Sequence, residues 1–163
     1  VKFSVDGKSY AISAALSNDE TGETYVELVD IATVYGNGKN LAEWLLRREE
    51  SISSIVIDGR AGADTLARRL LEGGFVKNAV VLCSPSQAIA SASLFIDEVS
   101  THSIKHIASP ALDESVIGSI GVNGGFGFGD SHKASCTAAE SAALALYGVR
   151  TVMRDPNYIQ EVW

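Results

Sequence analysis

At 163 residues the chain is long enough to bury one core, and an apolar fraction of 46% describes a compact globular domain. No run approaches the roughly 18 apolar residues of a membrane helix, so no membrane partner is expected. A formal charge of −7 excludes a basic surface that coats nucleic acid, and two cysteines without CxxC spacing, Cys83 and Cys136, exclude a disulfide framework.

The chain opens on Val1 in strand-like sequence, the pattern expected of a domain cut from a longer chain. "KFSVDGKSYAISAAL" reads as two strands around Asp6-Gly7, a favoured hairpin dipeptide. "SNDETGET" is a polar turn, and "YVELVDIA" alternates as a third strand, giving an antiparallel meander. "GNGKN" is a loop; Thr33 and Asn40 replace the residues a phosphate loop needs, and Asn40 suits the N-cap of a helix over "LAEWLLRREE". "SIVID" is a strand, "ADTLARRLLEGG" a helix closed by glycines, and "NAVVLC" another strand. The helix "SPSQAIASASLFIDEVS" then starts at Ser84-Pro85. "SIKHI" reads as a short edge strand, "PALDESVIGSI" as a short helix and "GVNGGFGFGDSHK" as a glycine-rich loop. A last helix covers "TAAESAALALYGVRTVMR" before Pro156.

Three antiparallel strands followed by alternating helices and strands predict an α/β fold with right-handed crossovers. The arrangement that satisfies this order is a ribonuclease H-like mixed five-stranded sheet with helices on both faces. There the first strand lies beside the first parallel strand. Asp6 and Asp58, each at a strand end and each followed by glycine, are expected to end near each other.

Two adjacent carboxylates repel unless a cation lies between them, and Mg²⁺ or Mn²⁺ favours oxygen ligands. A pair of such ions activates water and stabilises the leaving oxygen of a phosphodiester. Each aspartate also has a plain structural reading, Asp58 as a turn residue capping the next helix and Asp6 as ordinary hairpin chemistry. Arg60, directly after the strand-end Asp-Gly step, is suited to a phosphate oxygen or to a surface ion pair. His132, beside Asp130 in the glycine loop, is a second candidate for a DNA phosphate contact, whereas His106 reads as a strand or surface residue.

The segments "KFSVDGKSYAISAAL", "SIVIDGRAGADTLARRLLEGG", "QAIASASLFIDEV", "IKHIASPALDESV" and "GGFGFGD…AAESAALALYG" resemble, in order and spacing, the C-terminal nuclease domain of tailed-phage terminase large subunits, most of all those of actinobacterial phages and prophages. The resemblance spans essentially the whole chain, residues 1–163. It implies a metal-dependent endonuclease that cuts concatemeric phage DNA during packaging, in the cytoplasm of the bacterial host. It also implies Mg²⁺ or Mn²⁺ in an acidic cluster, double-stranded DNA as substrate, an N-terminal ATPase domain in the same protein, and portal and small terminase subunit as partners.

The first two family acids map onto Asp6 and Asp58. For the third the chain offers Asp130, in the glycine loop, and Glu140, at the start of the last helix, with Asp113 a further variant. Glu140 also completes a capping-box pattern with Thr137, which favours Asp130 as the metal ligand beside Asp6 and Asp58. Neutralising Asp58 is expected to relieve a charge repulsion. Two other classes fit the same residues: a non-cutting ribonuclease H-like module that binds DNA or a partner, and a nucleotide-binding α/β domain with its ligand at the strand ends.

Overall fold

A computed structural model describes residues 1–18, 20–122 and 127–151. The fold is α/β. Strands β1 (Lys2–Phe3), β2 (Ser9–Ser17) and β3 (Thr24–Thr33) form the antiparallel meander, and β6 (Ile104–His106) joins β3 in parallel to complete a four-stranded sheet. Strands β4 (Ile55–Ile57) and β5 (Val80–Leu82) pair in parallel.

The β4–β5 ladder meets the sheet at β1 through one parallel bridge, Lys2 to Asp58. Phe3 N–H donates to the Asp58 carbonyl at 2.9 Å, and Asp58 N–H donates to the Val1 carbonyl at 3.0 Å. The first strand therefore does lie beside the first parallel strand. A single five-stranded sheet is not what forms: a four-stranded sheet and a two-stranded ladder meet along this short seam.

Helices α1 (Lys39–Leu46), α2 (Ala63–Glu72), α3 (Pro85–Ser100), α4 (Pro110–Gly118) and α5 (Thr137–Thr151) divide the core in two. Leu41 and Leu45 of α1 and Leu66 and Leu70 of α2 pack with Phe3, Ile12, Ile55 and Ile57. Phe95 of α3, Leu112 of α4, and Ala138, Ala142 and Leu146 of α5 pack with Ala11 and Val26. Because successive strand residues point to opposite faces, the neighbours Ala11 and Ile12 are both buried, each in a different cluster. A bulge between Ile12 and Ser13 shifts the register with β3 midway along.

The local signals for α3 hold in full. Ser84 Oγ accepts from the Gln87 amide, the Gln87 side chain accepts from the Ser84 amide, and Pro85 opens the helix. Helix α1 differs. Its N-cap position is Gly38 in the left-handed region, Asn40 lies inside the helix, and Glu49–Ser51 form a separate 3-10 turn. The glycine-rich stretch is also more ordered than its composition suggests, since β7 (Ile120–Val122) pairs antiparallel with β8 (Gly127–Gly129). Residues 123–126 of that stretch, and the end of the last helix before Pro156, lie outside the described residues. No helix among the described residues is long and apolar enough to cross a membrane.

Candidate functional site

The site follows from the alternation of β1 and β4. Phe3 and Ile57 turn into the α1–α2 cluster. Their neighbours Lys2 and Asp58 therefore face the other way, the side on which α5 packs. On β1, Lys2 pairs with Ala11, whose carbonyl accepts from Ser141 Oγ of α5 at 3.1 Å. This register brings Glu140, in the first turn of α5, over the end of β4.

Lys2 Nζ bridges two carboxylates. It lies 2.6 Å from Asp58 Oδ2 and 3.1 Å from Glu140 Oε2. The side chains are 12% exposed for Lys2 and 23% for each acid, so the trio is shielded from solvent without being sealed. Burial alone would push the lysine down, but Glu140 and Asp58 outweigh it and hold the ammonium above the usual lysine range. Burial raises Glu140 above the usual carboxylate range, with Lys2 opposing the shift. Cys136, one helical turn earlier, directs Sγ at Glu140 Oε2 at 3.4 Å, and its thiol is pushed up by burial and by the glutamate.

The Lys2, Asp58 and Glu140 trio stands in the wall of an open cavity of about 640 Å³. Lys2, Asp58 and Glu140 line it, with Arg60 and Asp64 beyond β4, Cys83 after β5, and Phe128 of β8. Cys83 is half-buried rather than buried; burial and the nearby Asp58 push its thiol up to about 11. Both thiols are free, as expected from their number and spacing.

Asp6 is placed elsewhere. The residue opposite Asp58 is Lys2, four positions before Asp6, and the intervening chain turns away from the seam. Asp6 is exposed, its Oδ1 accepting from Ser4 Oγ at 2.8 Å and from the Lys8 amide at 3.1 Å. These hydrogen bonds hold its carboxyl below the usual range. It closes the turn into β2 and is not among the groups lining the cavity. The expected approach of Asp6 to Asp58 is thus replaced by an approach of Lys2.

The two candidates for the third acid separate clearly. Asp130 Oδ1 accepts from the Cys136 amide at 2.7 Å and from Ser135 Oγ at 3.1 Å, tying the loop to the start of α5. The amide bond is the main reason its carboxyl lies below the usual range. Thr137 is the first helical residue rather than the residue before it, and the Glu140 carboxylate faces Lys2. The hydroxyl of Ser115 from α4 accepts from the Ala139 amide at 3.0 Å and donates to the Ser135 carbonyl at 2.7 Å, meeting part of the capping need of α5. Asp113 lies in the first turn of α4 and His132 is exposed; neither is among the cavity-lining residues.

Mg²⁺ and Mn²⁺ suit the donor chemistry, since carboxylate oxygens of Asp58 and Glu140 converge on one cation position. The Lys2 ammonium stands in that position. Among the described residues, no group of three or more His, Cys, Asp or Glu is placed to hold a metal ion. The geometry thus brings two carboxylates, Asp58 and Glu140, to one cation, rather than the expected set of Asp6, Asp58 and Asp130.

Lys2 belongs to no motif in the sequence, yet it stands at the centre of the site. Its signal was present: it alternates with a buried phenylalanine on a strand of the meander, which places a cation on the Asp58 face. No protein-family model, no curated protein and no solved structure matches the chain.

Proposed function

We propose that the chain is a ribonuclease H-like nuclease domain of the tailed-phage terminase kind, which hydrolyses double-stranded DNA with Mg²⁺ or Mn²⁺ in the host cytoplasm. The observation that carries this reading is the convergence of Asp58 and Glu140 on one cation position in the wall of an open cavity. The strand arrangement supports it as well: an antiparallel β1–β2–β3 meander is flanked at β1 by parallel β4 and β5.

Asp58 and Glu140 are the residues that hold the ion, and a bound ion supplies activation of water and neutralisation of charge on the phosphate. Arg60 is exposed at the cavity and offers a planar, bidentate cation to a second phosphate oxygen. The net charge of −7 opposes DNA elsewhere on the surface, so the isolated domain binds weakly and without sequence preference. In the packaging machine, the ATPase domain, portal and small subunit share the work of holding DNA.

One observation favours a second reading, a non-cutting module of the same fold: Lys2 already neutralises the carboxylates. Nicking of supercoiled plasmid at low salt, with Mg²⁺, Mn²⁺ or EDTA, separates the two. Metal-dependent nicking that falls at least about 100-fold in Asp58→Asn and Glu140→Gln supports the nuclease, the scale of losing a group that stabilises transition-state charge. Equal nicking in the parent and both variants, or none at any metal concentration, favours the module.

A further inference from the structure

We propose that Lys2 is the resident cation of the carboxylate centre, and that a divalent ion reaches Asp58 and Glu140 only by displacing its ammonium. This deepens the nuclease reading and rests on its choice of metal-holding pair, though not on DNA cleavage.

The argument is one of shared space. Lys2 Nζ lies 2.6 Å from Asp58 Oδ2 and 3.1 Å from Glu140 Oε2. A small divalent ion bound to the same two oxygens on the side where Lys2 stands sits about 2.1 Å from each, too close to the nitrogen for both to fit. An ammonium and a metal ion do not share that volume, and their like charges repel strongly at such a distance.

The lysine is also well placed to stay. Its backbone is fixed by pairing with Ala11 on one side and by the bridge to Asp58 on the other. Its side chain is 12% exposed, so it is held between the acids rather than swinging in solvent. With Lys2 in place the trio carries one net negative charge; without it, the two acids present two. Lys2 therefore lowers the affinity of the site for metal and holds the acids together until metal arrives. The flexible four-carbon stem gives the ammonium a way out towards the cavity, where a phosphate oxygen is a suitable new partner.

The test is calorimetric titration of MnCl₂ into the parent chain, Lys2→Met, Lys2→Arg and Lys2→Met/Glu140→Gln, each checked for folding by circular dichroism. Lys2→Met is expected to bind Mn²⁺ at least about 10-fold more tightly than the parent. Lys2→Arg keeps the cation and should bind no tighter than the parent, and the double variant should lose the gain. A folded Lys2→Met that binds Mn²⁺ no tighter than the parent overturns the proposal.

A second measurement needs no variant. In a MgCl₂ titration of the parent followed by NMR, the Lys2 side-chain methylene signals are expected to move as the ammonium leaves the acids. Signals that stay in place throughout overturn the proposal. Tighter Mn²⁺ binding by Lys2→Met without plasmid nicking in any variant keeps the cation exchange and removes the nuclease reading, so the two failures are distinct.

Discussion

The chain contains two Asp-Gly steps expected at strand ends, Asp6-Gly7 and Asp58-Gly59, and the fold uses them in different ways. Asp6 follows the two-residue β1 and bonds back to Ser4 and forward to Lys8, closing an exposed turn. Asp58 follows a strand buried at every position, and its side chain enters an ion cluster with Lys2 and Glu140. The dipeptide alone does not decide between these outcomes. What decides is the company of the strand: an edge turn solvates its carboxylate, whereas a strand covered on both faces aims it at another element.

The glycines carry the same contrast, and substituting them should give the largest effects. Gly59 has φ +115°, and a Cβ there would lie 2.7 Å from Phe3 Cβ and 2.9 Å from its carbonyl oxygen. This is the seam at which β1 receives β4, so Gly59→Ala is expected to cost roughly 2–4 kcal/mol through strain and overpacking. Gly7 has φ +69°, and a Cβ there would lie 2.5 Å from Ala61 Cβ and 3.8 Å from its Cα. Gly7→Ala is expected to cost less, about 1–2 kcal/mol, because it meets one exposed turn residue rather than a buried strand. Equal losses in urea unfolding would mean that the seam is no tighter than the turn.

The ion cluster comes next. With Lys2 between the acids, Asp58→Asn removes an attraction, and the expected relief of repulsion is reversed. Glu140→Ala and Asp58→Asn should each lower stability by about 1–3 kcal/mol, between the values for exposed and fully buried pairs. Asp6→Ala, which removes only exposed turn hydrogen bonds, should lower the melting midpoint less than either. A rise in the midpoint of Asp58→Asn would show that the acids repel more than Lys2 attracts.

The smallest effect is in the pH dependence. The carboxyl of Asp130 is depressed in the fold, chiefly by the Cys136 amide. Its contribution is therefore full above the ordinary value of 3.8 and fades as pH falls through the lower folded value. Asp130→Asn should lower stability by about 1 kcal/mol at neutral pH, as for loss of a helix-start hydrogen bond, and should shallow the acid limb of the stability curve. An unchanged acid limb would mean that Asp130 is as protonatable in the fold as outside it.

Much of the fold was legible because local chemistry agreed with tertiary packing. Ser84 and Pro85 announce α3, and Gly73 ends α2 as its position after the helix suggests. Helix α1 departs from the expectation at its start because a left-handed glycine, not the available asparagine, occupies the cap position. The β7–β8 pair was hidden by glycine composition. Half of the candidate site was legible too. Asp58 reads from its strand, but Glu140 carries a capping pattern that the structure sets aside: Ser115 arrives from another helix to meet part of that need. Lys2 shows only through register, a property of pairing that no single segment displays.

The central claim, that the cation position lies between Asp58 and Glu140 and not at Asp6, is tested most directly by anomalous diffraction from crystals of the parent chain and of Lys2→Met soaked in MnCl₂. The account predicts a manganese peak about 2.1 Å from carboxylate oxygens of Asp58 and Glu140, stronger in Lys2→Met and accompanied in the parent by a displaced Lys2 side chain. A peak at Asp6 or Asp130 instead, or none between Asp58 and Glu140 in Lys2→Met, would contradict it.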